Sequence, residues 1–330
     1  MPTAMIPFEF YRVRLRLRAR GLLRFPVPAA NLLRGALGYR FEDRGQDYFR
    51  WFRPGRAPGA QPTPSGLADW PRPFVLRASH LDGTQCRQEE CWSFDVHIFA
   101  REAFCPLLGA LAGAAEHGMG RARVPSELVS IEALDLGSTD FILRNADASI
   151  LPVSHRLKPV PPSLDISDGL KPVPPSLGIS DGLKPVPPIC LNLAHTGERA
   201  NQLRLVFVTP TELKGRASSG EEPDFATLFA RLRDRLGNLR ALYGAGPLEV
   251  DFRGLGERAR SIRLRHARLV WERAERRSSR TGQVHPLGGF TGEADYEGDL
   301  GEFLPWLAAA RWVGVGRQTV WGKGDVRVVR

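Results

Sequence analysis

Two stretches of the chain carry the hydrophobic pattern of half-buried β-strands. Between Arg12 and Arg18, apolar residues alternate with arginines, and this alternation lies inside the longer segment 8–19. Residues 202–209 form a second run rich in aliphatic side chains, and the run ends at Pro210. A period of two residues is typical of a strand with one buried face. The first strand therefore presents a comb of arginines on its other face, which is either functional or simply solvated.

Four other stretches repeat their apolar residues at the spacing of an amphipathic helix. They are residues 29–41, 102–116, 223–243 and 300–310. Runs of β-prone residues between these stretches predict the remaining strands, at 74–79, 91–100, 128–136, 261–271, 284–296 and 326–329.

The predicted elements follow the order β-α-β-β-α-β in each half of the chain, which is the order of a ferredoxin-like module. The pattern therefore predicts an α+β protein with two tandem ferredoxin-like domains. A chain of 330 residues is long enough for two hydrophobic cores. We place the N-terminal domain at residues 1–150 and the C-terminal domain at residues 192–330.

A short glycine motif occurs once in each predicted domain. Residues 117–123 read HGMGRAR, and residues 313–318 read VGVGRQ. Each copy follows an alanine-rich and leucine-rich helical pattern and precedes a predicted strand. The repetition favours a duplicated module, although two alanine-rich helices can also resemble each other by chance.

The residues between the two domains differ in kind from the rest of the chain. The sequence LKPVPPSLDISDG (157–169) is followed by LKPVPPSLGISDG (170–182) and by LKPVPPICL (183–191). Prolines interrupt helices and strand pairing, so we expect residues 151–191 to form an extended or disordered linker. Near-identical copies indicate recent duplication of the DNA; the alternative is a proline-rich docking ligand.

The last stretch of the chain, residues 310–326, is rich in glycine. Its glycines are interleaved with Arg317 and Lys323 and flanked by Trp312 and Trp321. Glycine permits positive φ and close approach of another backbone, and exposed N–H groups beside fixed cations suit phosphate. The alternative is a tight turn that binds nothing. The candidate contacts are Gly314, Gly316, Arg317, Gly322, Lys323 and Gly324.

The overall charge favours an acidic partner. The net charge is +10 and the excess is carried mainly by arginine, which suits phosphate contacts and base stacking. Hydrophobic residues make up 42% of the chain, but no apolar run is long enough to cross a membrane. We expect no membrane partner, and the start of the chain lacks the apolar region of a secretory signal.

The cysteines do not predict a metal site. The four cysteines include one close pair, Cys86 and Cys91, with no second pair to complete a zinc site. A cytoplasmic protein with free thiols is therefore the expectation. A DNA-binding protein is disfavoured because no helix-turn-helix or zinc pattern is present.

Seven segments, in order along the chain, resemble the CRISPR-associated precursor-crRNA processing endoribonucleases of the RAMP superfamily. The resemblance covers nearly the whole chain except the linker, and the last two segments are the most specific. The segments are LLRGALGYRFE (32–42), RPFVLR (72–77), WSFDVHIFAR (92–101), HGMGRARVPSELVSIEAL (117–134), LRLVFVTPTELK (203–214), SSRTGQVHPLGGFTGEADYEGDL (278–300) and WVGVGRQTVWGKGDVRV (312–328).

The resemblance implies tandem ferredoxin-like domains and a C-terminal glycine-rich loop that meets RNA. It also implies cleavage within CRISPR repeats without a metal or other cofactor, by attack of a ribose 2′-OH on the adjacent phosphate. The partner would be CRISPR repeat RNA in precursor crRNA. The alternative is a non-catalytic RAMP subunit that only holds crRNA in a CRISPR effector complex.

The catalytic residues are the part of the resemblance that fits least well. A histidine in the first-helix region often serves as the base in such families, and residues 27–53 contain none. Tyr39 lies in the matching helix motif, so we expect Tyr39 or a nearby arginine, Arg34, to align the nucleophile. His285 is the candidate base from the second domain.

A basic turn at residues 272–281 also matches the family pattern. We expect it to contact RNA through Arg277, Ser279 and Arg280, although a solvated loop would have the same composition. His97 and His266 fall within predicted strands, where a structural role is expected, and His117 is positioned to cap the end of its helix.

Overall fold

The computed structural model describes residues 5–42, 45, 47–54, 70–138, 186–213, 222–272, 275–277, 284–286 and 288–329. The strands are β1 Pro7–Ala19, β2 Leu23–Arg24, β3 Phe74–Arg77, β4 Gln85–Cys86, β5 Cys91–Ile98, β6 Ser126–Ala133, β7 Ile189–Asn192, β8 Gln202–Thr211, β9 Arg263–Glu272, β10 Glu275–Arg277, β11 Val284–Pro286, β12 Gly289–Glu297 and β13 Val326–Val329. The α-helices are α1 Ala30–Glu42, α2 Phe104–Glu116, α3 Phe225–Tyr243, α4 Phe252–Arg260 and α5 Leu304–Val313.

The first sheet has the antiparallel order β3-β5-β1-β6. Taken as the four strands of a β-α-β-β-α-β unit, this is the ferredoxin-like order. The alternation in β1 has the predicted effect, because Val13, Leu15 and Leu17 are buried in the core. Leu33 of α1 and Leu107 of α2 belong to the same core.

The second sheet repeats the same arrangement with the order β13-β8-β12-β9. Its core joins the sheet to α3 and α5, with Phe207 from β8, Phe229 from α3 and Trp306 from α5. The rings of Phe229 and Trp306 meet edge to face at 5.8 Å. The predicted α+β class with two tandem ferredoxin-like domains is therefore confirmed.

The arginine comb of β1 lies against carboxylates on both neighbouring strands. Arg14 pairs with Asp95 of β5 at 2.7 Å, and Arg16 lies 3.4 Å from Glu132 of β6. The Arg16–Glu132 pair is exposed and contributes little to stability, whereas Arg14 and Asp95 are mostly buried. In both pairs the acidic partner offsets positive charge that the comb carries.

The two domains dock through the end of α5. The backbone carbonyl of Trp312 accepts a hydrogen bond from His97 at 2.8 Å, and the carbonyl of Arg311 accepts one from Arg77 at 2.7 Å. Burial lowers the pKa of His97 well below its ordinary value, so the imidazole is neutral. His97 thus has the structural role that its position in a strand predicts.

The proposed domain boundaries, residues 1–150 and 192–330 with a linker between them, remain a prediction. Residues 139–185, which include most of the tandem repeat, lie outside the described residues. Just after them, residues 189–191 were assigned to the linker, and in the structure they begin β7, which pairs with the start of β1. The side chains of Phe8 and Phe10 in that part of β1 join the core of the second domain.

Candidate nucleic-acid interface

The glycine-rich loop, residues 314–325, connects α5 to β13 and packs on the first domain. Val320 of the loop is part of the first domain's core. A Cβ at Gly322 would lie 3.1 Å from the Cβ of Ala30, at the start of α1. The loop is therefore held between the two domains and borders α1.

Arg34 forms the link between α1 and this loop. Its guanidinium lies over two rings, that of Phe52 at 4.9 Å and that of Trp321 at 4.7 Å. Cations stack on aromatic faces because the face carries negative potential. Arg34, predicted as a catalytic residue, thus has a well-defined packing role where α1 meets the loop.

The glycines of the loop are required by the fold itself. Gly314, Gly316, Gly322 and Gly324 all have positive φ, between 72° and 84°. A Cβ at Gly316 would overlap the carbonyl oxygen of Glu212, and one at Gly324 would overlap that of Val315. The tight-turn interpretation therefore accounts for the glycines, while RNA contact by the loop stays a prediction.

The two cations of the loop have different environments. Lys323 is buried, and its ammonium donates to the carbonyl of Gly288 at 2.6 Å and to Oε1 of Gln318 at 2.9 Å. Burial lowers its pKa to about 8. Arg317 is more than half exposed and pairs with Glu212 at 2.7 Å. RNA binding by Lys323 stays a prediction; in the structure its side chain makes its hydrogen bonds within the protein. Arg317 is the cation that reaches the surface.

The predicted basic turn lies between two short paired strands. Arg277 is in β10 and His285 is in β11, and the register pairs Arg276 with His285. Ser279 and Arg280 lie outside the described residues, as do the side chains of β10 and β11. Contacts of Arg277, Ser279, Arg280 and His285 with RNA therefore stay predictions.

Tyr39 and Arg34 do not lie together. Five residues along an α-helix correspond to a rotation of about 140°, and the two side chains meet different elements. Arg34 faces the glycine-rich loop, whereas Tyr39 is 57% exposed and its ring lies 5.7 Å from the guanidinium of Arg123. Arg123 belongs to the turn between α2 and β6, which is the first of the two glycine motifs.

That turn carries a histidine, His117, and only the structure shows that it lies beside α1. His117 directly follows α2, and its Nδ1 lies 2.9 Å from the carbonyl of Gly113, which confirms the predicted cap. Its Nε2 lies 3.2 Å from a guanidinium nitrogen of Arg40 in α1. The sequence places His117 in the glycine motif, but nothing in the pattern indicates that α1 lies beside it.

The described part of the chain offers neither a metal site nor a membrane span. No group of three or more His, Cys, Asp or Glu residues there could hold a metal ion. No helix there is long and apolar enough to span a membrane.

Comparison with known families gives two matches. Residues 205–326 match the model of the CRISPR-associated endoribonuclease Cas6, and residues 7–155 match a model described as an N-terminal domain. A search of curated proteins by sequence found no match.

Solved structures of Cas6 proteins share this fold over its whole length. A product complex of a Thermus thermophilus Cas6 aligns with a TM-score of 0.50 at 16% identity, covering 99% of this chain and 100% of that chain. A second Cas6 product complex aligns with a TM-score of 0.51 at 16% identity, covering 98% and 100%. A partial Cas6-RT-Cas1–Cas2 complex aligns at 0.51 and 14% identity, where this chain covers 47% of the larger one.

Proposed function

We propose that the chain is a precursor-crRNA processing endoribonuclease of the Cas6 family, whose model its residues 205–326 match, and that it binds CRISPR repeat RNA and cuts it. Cleavage proceeds by attack of the 2′-OH on the adjacent phosphate. It leaves a 2′,3′-cyclic phosphate on one product and a 5′-OH on the other, and it uses no metal ion.

The observation that carries this proposal is the contact between the glycine-rich loop and α1. The loop belongs to the segment that matches Cas6, residues 205–326, and its Trp321 stacks on Arg34 of the first domain. An RNA strand that follows the loop is thereby brought to the helix that carries the candidate catalytic residues. Arg317, exposed on the loop, supplies a cation for a phosphate at that boundary.

The chemistry requires alignment of groups and transfer of protons. The 2′-oxygen, the phosphorus and the leaving 5′-oxygen must lie nearly in line, and positioning of this kind supplies a large part of the rate enhancement. A base must take the proton of the 2′-OH and an acid must protonate the 5′-oxygen. Tyr39, on the exposed face of α1, is the residue that we place beside the reacting groups.

One observation favours the rival function, a RAMP subunit that binds crRNA without cutting it. The helix α1, Ala30–Glu42, contains no histidine, so the residue type that most often moves protons near neutral pH is missing from that helix. Such a subunit would bind repeat RNA as tightly and leave it intact.

One assay separates the two functions. Purified protein is mixed with a labelled repeat RNA from the host's own CRISPR array, in EDTA, and the products are resolved on a denaturing gel. We expect cleavage to persist in EDTA and to stop when the 2′-OH beside the scissile phosphate is replaced by hydrogen. The upstream product should resist a phosphatase until acid opens its cyclic phosphate.

Two results would count against the proposal. Tight binding of the intact RNA without product would support the non-catalytic subunit. Cleavage of the 2′-deoxy substrate at the normal rate would exclude attack by the 2′-OH.

A further inference from the structure

The turn between α2 and β6 and the exposed face of α1 together form a patch of side chains suited to proton transfer. We call it the His117 patch; it comprises Tyr39, Arg40, His117 and Arg123. These residues come from two segments of the chain about 80 positions apart. Two side-chain contacts join the two segments, one between Arg40 and His117 and one between Tyr39 and Arg123.

These contacts link α1 to the turn in two places. Arg40 contacts His117 at 3.2 Å and is adjacent in sequence to Tyr39. The ring of Tyr39 lies beneath the guanidinium of Arg123 at 5.7 Å. The backbone of Arg123 packs so tightly on Gly118 that a Cβ there would overlap its carbonyl oxygen, and Gly118 follows His117 in the chain.

The backbone of the turn is held in an unusual conformation. Gly118, Gly120 and Arg123 all have positive φ. Paired hydrogen bonds between Met119 and Val124, at 2.9 and 3.0 Å, close the turn. A non-glycine residue such as Arg123 rarely adopts positive φ, and strained backbone of this kind is common where side chains must be held in a fixed place.

The hydrogen bonds of His117 fix its tautomer. The carbonyl of Gly113 can only accept, so Nδ1 must carry the proton and donate it over 2.9 Å. The guanidinium of Arg40 can only donate, so Nε2 must accept over 3.2 Å. In this tautomer the lone pair of Nε2 points away from α2 toward the half-buried Arg40, and a lone pair on Nε2 is what a general base requires.

On these grounds, and resting on the proposed function, we propose that His117 is the general base that activates the ribose 2′-OH. An RNA phosphate competes for the guanidinium of Arg40, because a charged oxyanion is a better acceptor than a neutral imidazole. When Arg40 turns to the phosphate, Nε2 of His117 becomes free to accept a hydrogen bond from the 2′-OH.

Within the patch, His117 accepts one proton and Tyr39 donates one. Nε2 of His117 takes the proton of the 2′-OH, and the 2′-oxygen forms a bond to phosphorus while the bond from phosphorus to the 5′-oxygen breaks. The leaving 5′-oxygen takes a proton from the hydroxyl of Tyr39. The imidazolium and the phenolate then exchange a proton through solvent, and both residues return to their starting state.

The test compares two substitutions of His117 in the full-length protein. His117→Ala removes the imidazole, and His117→Asn removes the base but keeps a side-chain N–H that can cap α2 at Gly113. We expect both to slow single-turnover cleavage of repeat RNA by roughly 10²-fold or more, with the RNA dissociation constant within threefold of the wild type. Added imidazole should restore cleavage to His117→Ala. Tyr39→Phe should also slow cleavage at unchanged affinity.

The control is His195→Ala, which removes an exposed histidine of the second domain and should leave cleavage unchanged. Normal cleavage by His117→Ala overturns the inference while the proposed function stands. If His117→Asn is as active as the wild type and only His117→Ala is slow, His117 is a helix cap and not a base. If the wild type binds but never cuts repeat RNA, the proposed nuclease function fails, and the inference fails with it.

Discussion

The two cations of the glycine-rich loop look equivalent in sequence and differ completely in their surroundings. Arg317 shares the glutamate that lies near Lys323, but its guanidinium reaches solvent, whereas the ammonium of Lys323 is enclosed. An exposed cation can exchange its partner for a phosphate at little cost. A buried one cannot leave its acceptors without exposing them unpaired.

This difference predicts opposite effects of two substitutions. Arg317→Ala should weaken RNA binding and reduce the slope of log Kd against log salt concentration by about 1, with the melting temperature nearly unchanged. Lys323→Met should lower the free energy of unfolding by about 1–3 kcal/mol, because the acceptors at Gly288 and Gln318 lose a charged donor. The folded fraction should keep its RNA affinity. Binding titrations at several salt concentrations and urea melts provide the two measurements.

The pH dependence of Lys323 gives an independent check. Its pKa falls from 10.5 to about 8 on folding, chiefly through burial. Between these values the unfolded chain binds a proton that the folded chain does not, so stability rises with pH across this window. The wild type should therefore gain stability relative to Lys323→Met as the pH is raised from 8 toward 10. A constant difference over that range would show that the ammonium is not buried.

At the scale of single elements, two glycines on neighbouring elements illustrate different uses of the residue. Gly35 lies inside α1 with open space around the position of a Cβ, whereas Gly316 has a φ of 84° and faces the carbonyl of Glu212. Gly35 weakens its helix, because glycine loses more backbone entropy on folding than alanine does. At Gly316 the positive φ requires glycine. A substitution at Gly316 is therefore a test of folding and not of RNA contact.

Alanine at these two positions should change stability in opposite directions. Gly35→Ala should raise the free energy of unfolding by roughly 0.5–1 kcal/mol, because alanine loses less backbone entropy in a helix. Gly316→Ala should lower it by more than about 1 kcal/mol, since alanine is strained at positive φ and meets the carbonyl. Urea melts of both variants measure these free energies of unfolding. Equal stability of Gly316→Ala and the wild type would show that the loop can shift to accommodate a side chain at this position.

At the scale of the whole molecule, the two domains are tied together in two places. β7 follows the linker and pairs with β1, and the carbonyls of Arg311 and Trp312 bind Arg77 and His97 of the first domain. The docking of the domains thus depends on contacts among the described residues.

Deletion of residues 170–182, one whole repeat unit, should therefore have little effect. Shortening a long connection changes its closure entropy only logarithmically, by a few tenths of a kcal/mol. We expect a melting temperature and a repeat-RNA affinity close to those of the full chain. A large loss of either would show that the repeat packs on the domains or binds RNA.

The sequence alone determined the class and order of the elements. The period of two in β1 and the helical period in α3 are local properties, because side-chain direction along a strand or helix repeats with the backbone. Both cores follow from these periods. The prediction that His117 caps α2 also needed only local information, since the carbonyl of Gly113 is four residues away.

Only the tertiary structure decided which residues meet across the molecule. Arg40 and His117 are 77 positions apart, and Trp321 reaches Arg34 from the other end of the chain. No local pattern records such contacts, because they depend on how helices and loops pack once the sheets have formed. For the same reason the sequence could not distinguish the buried ammonium of Lys323 from an exposed one.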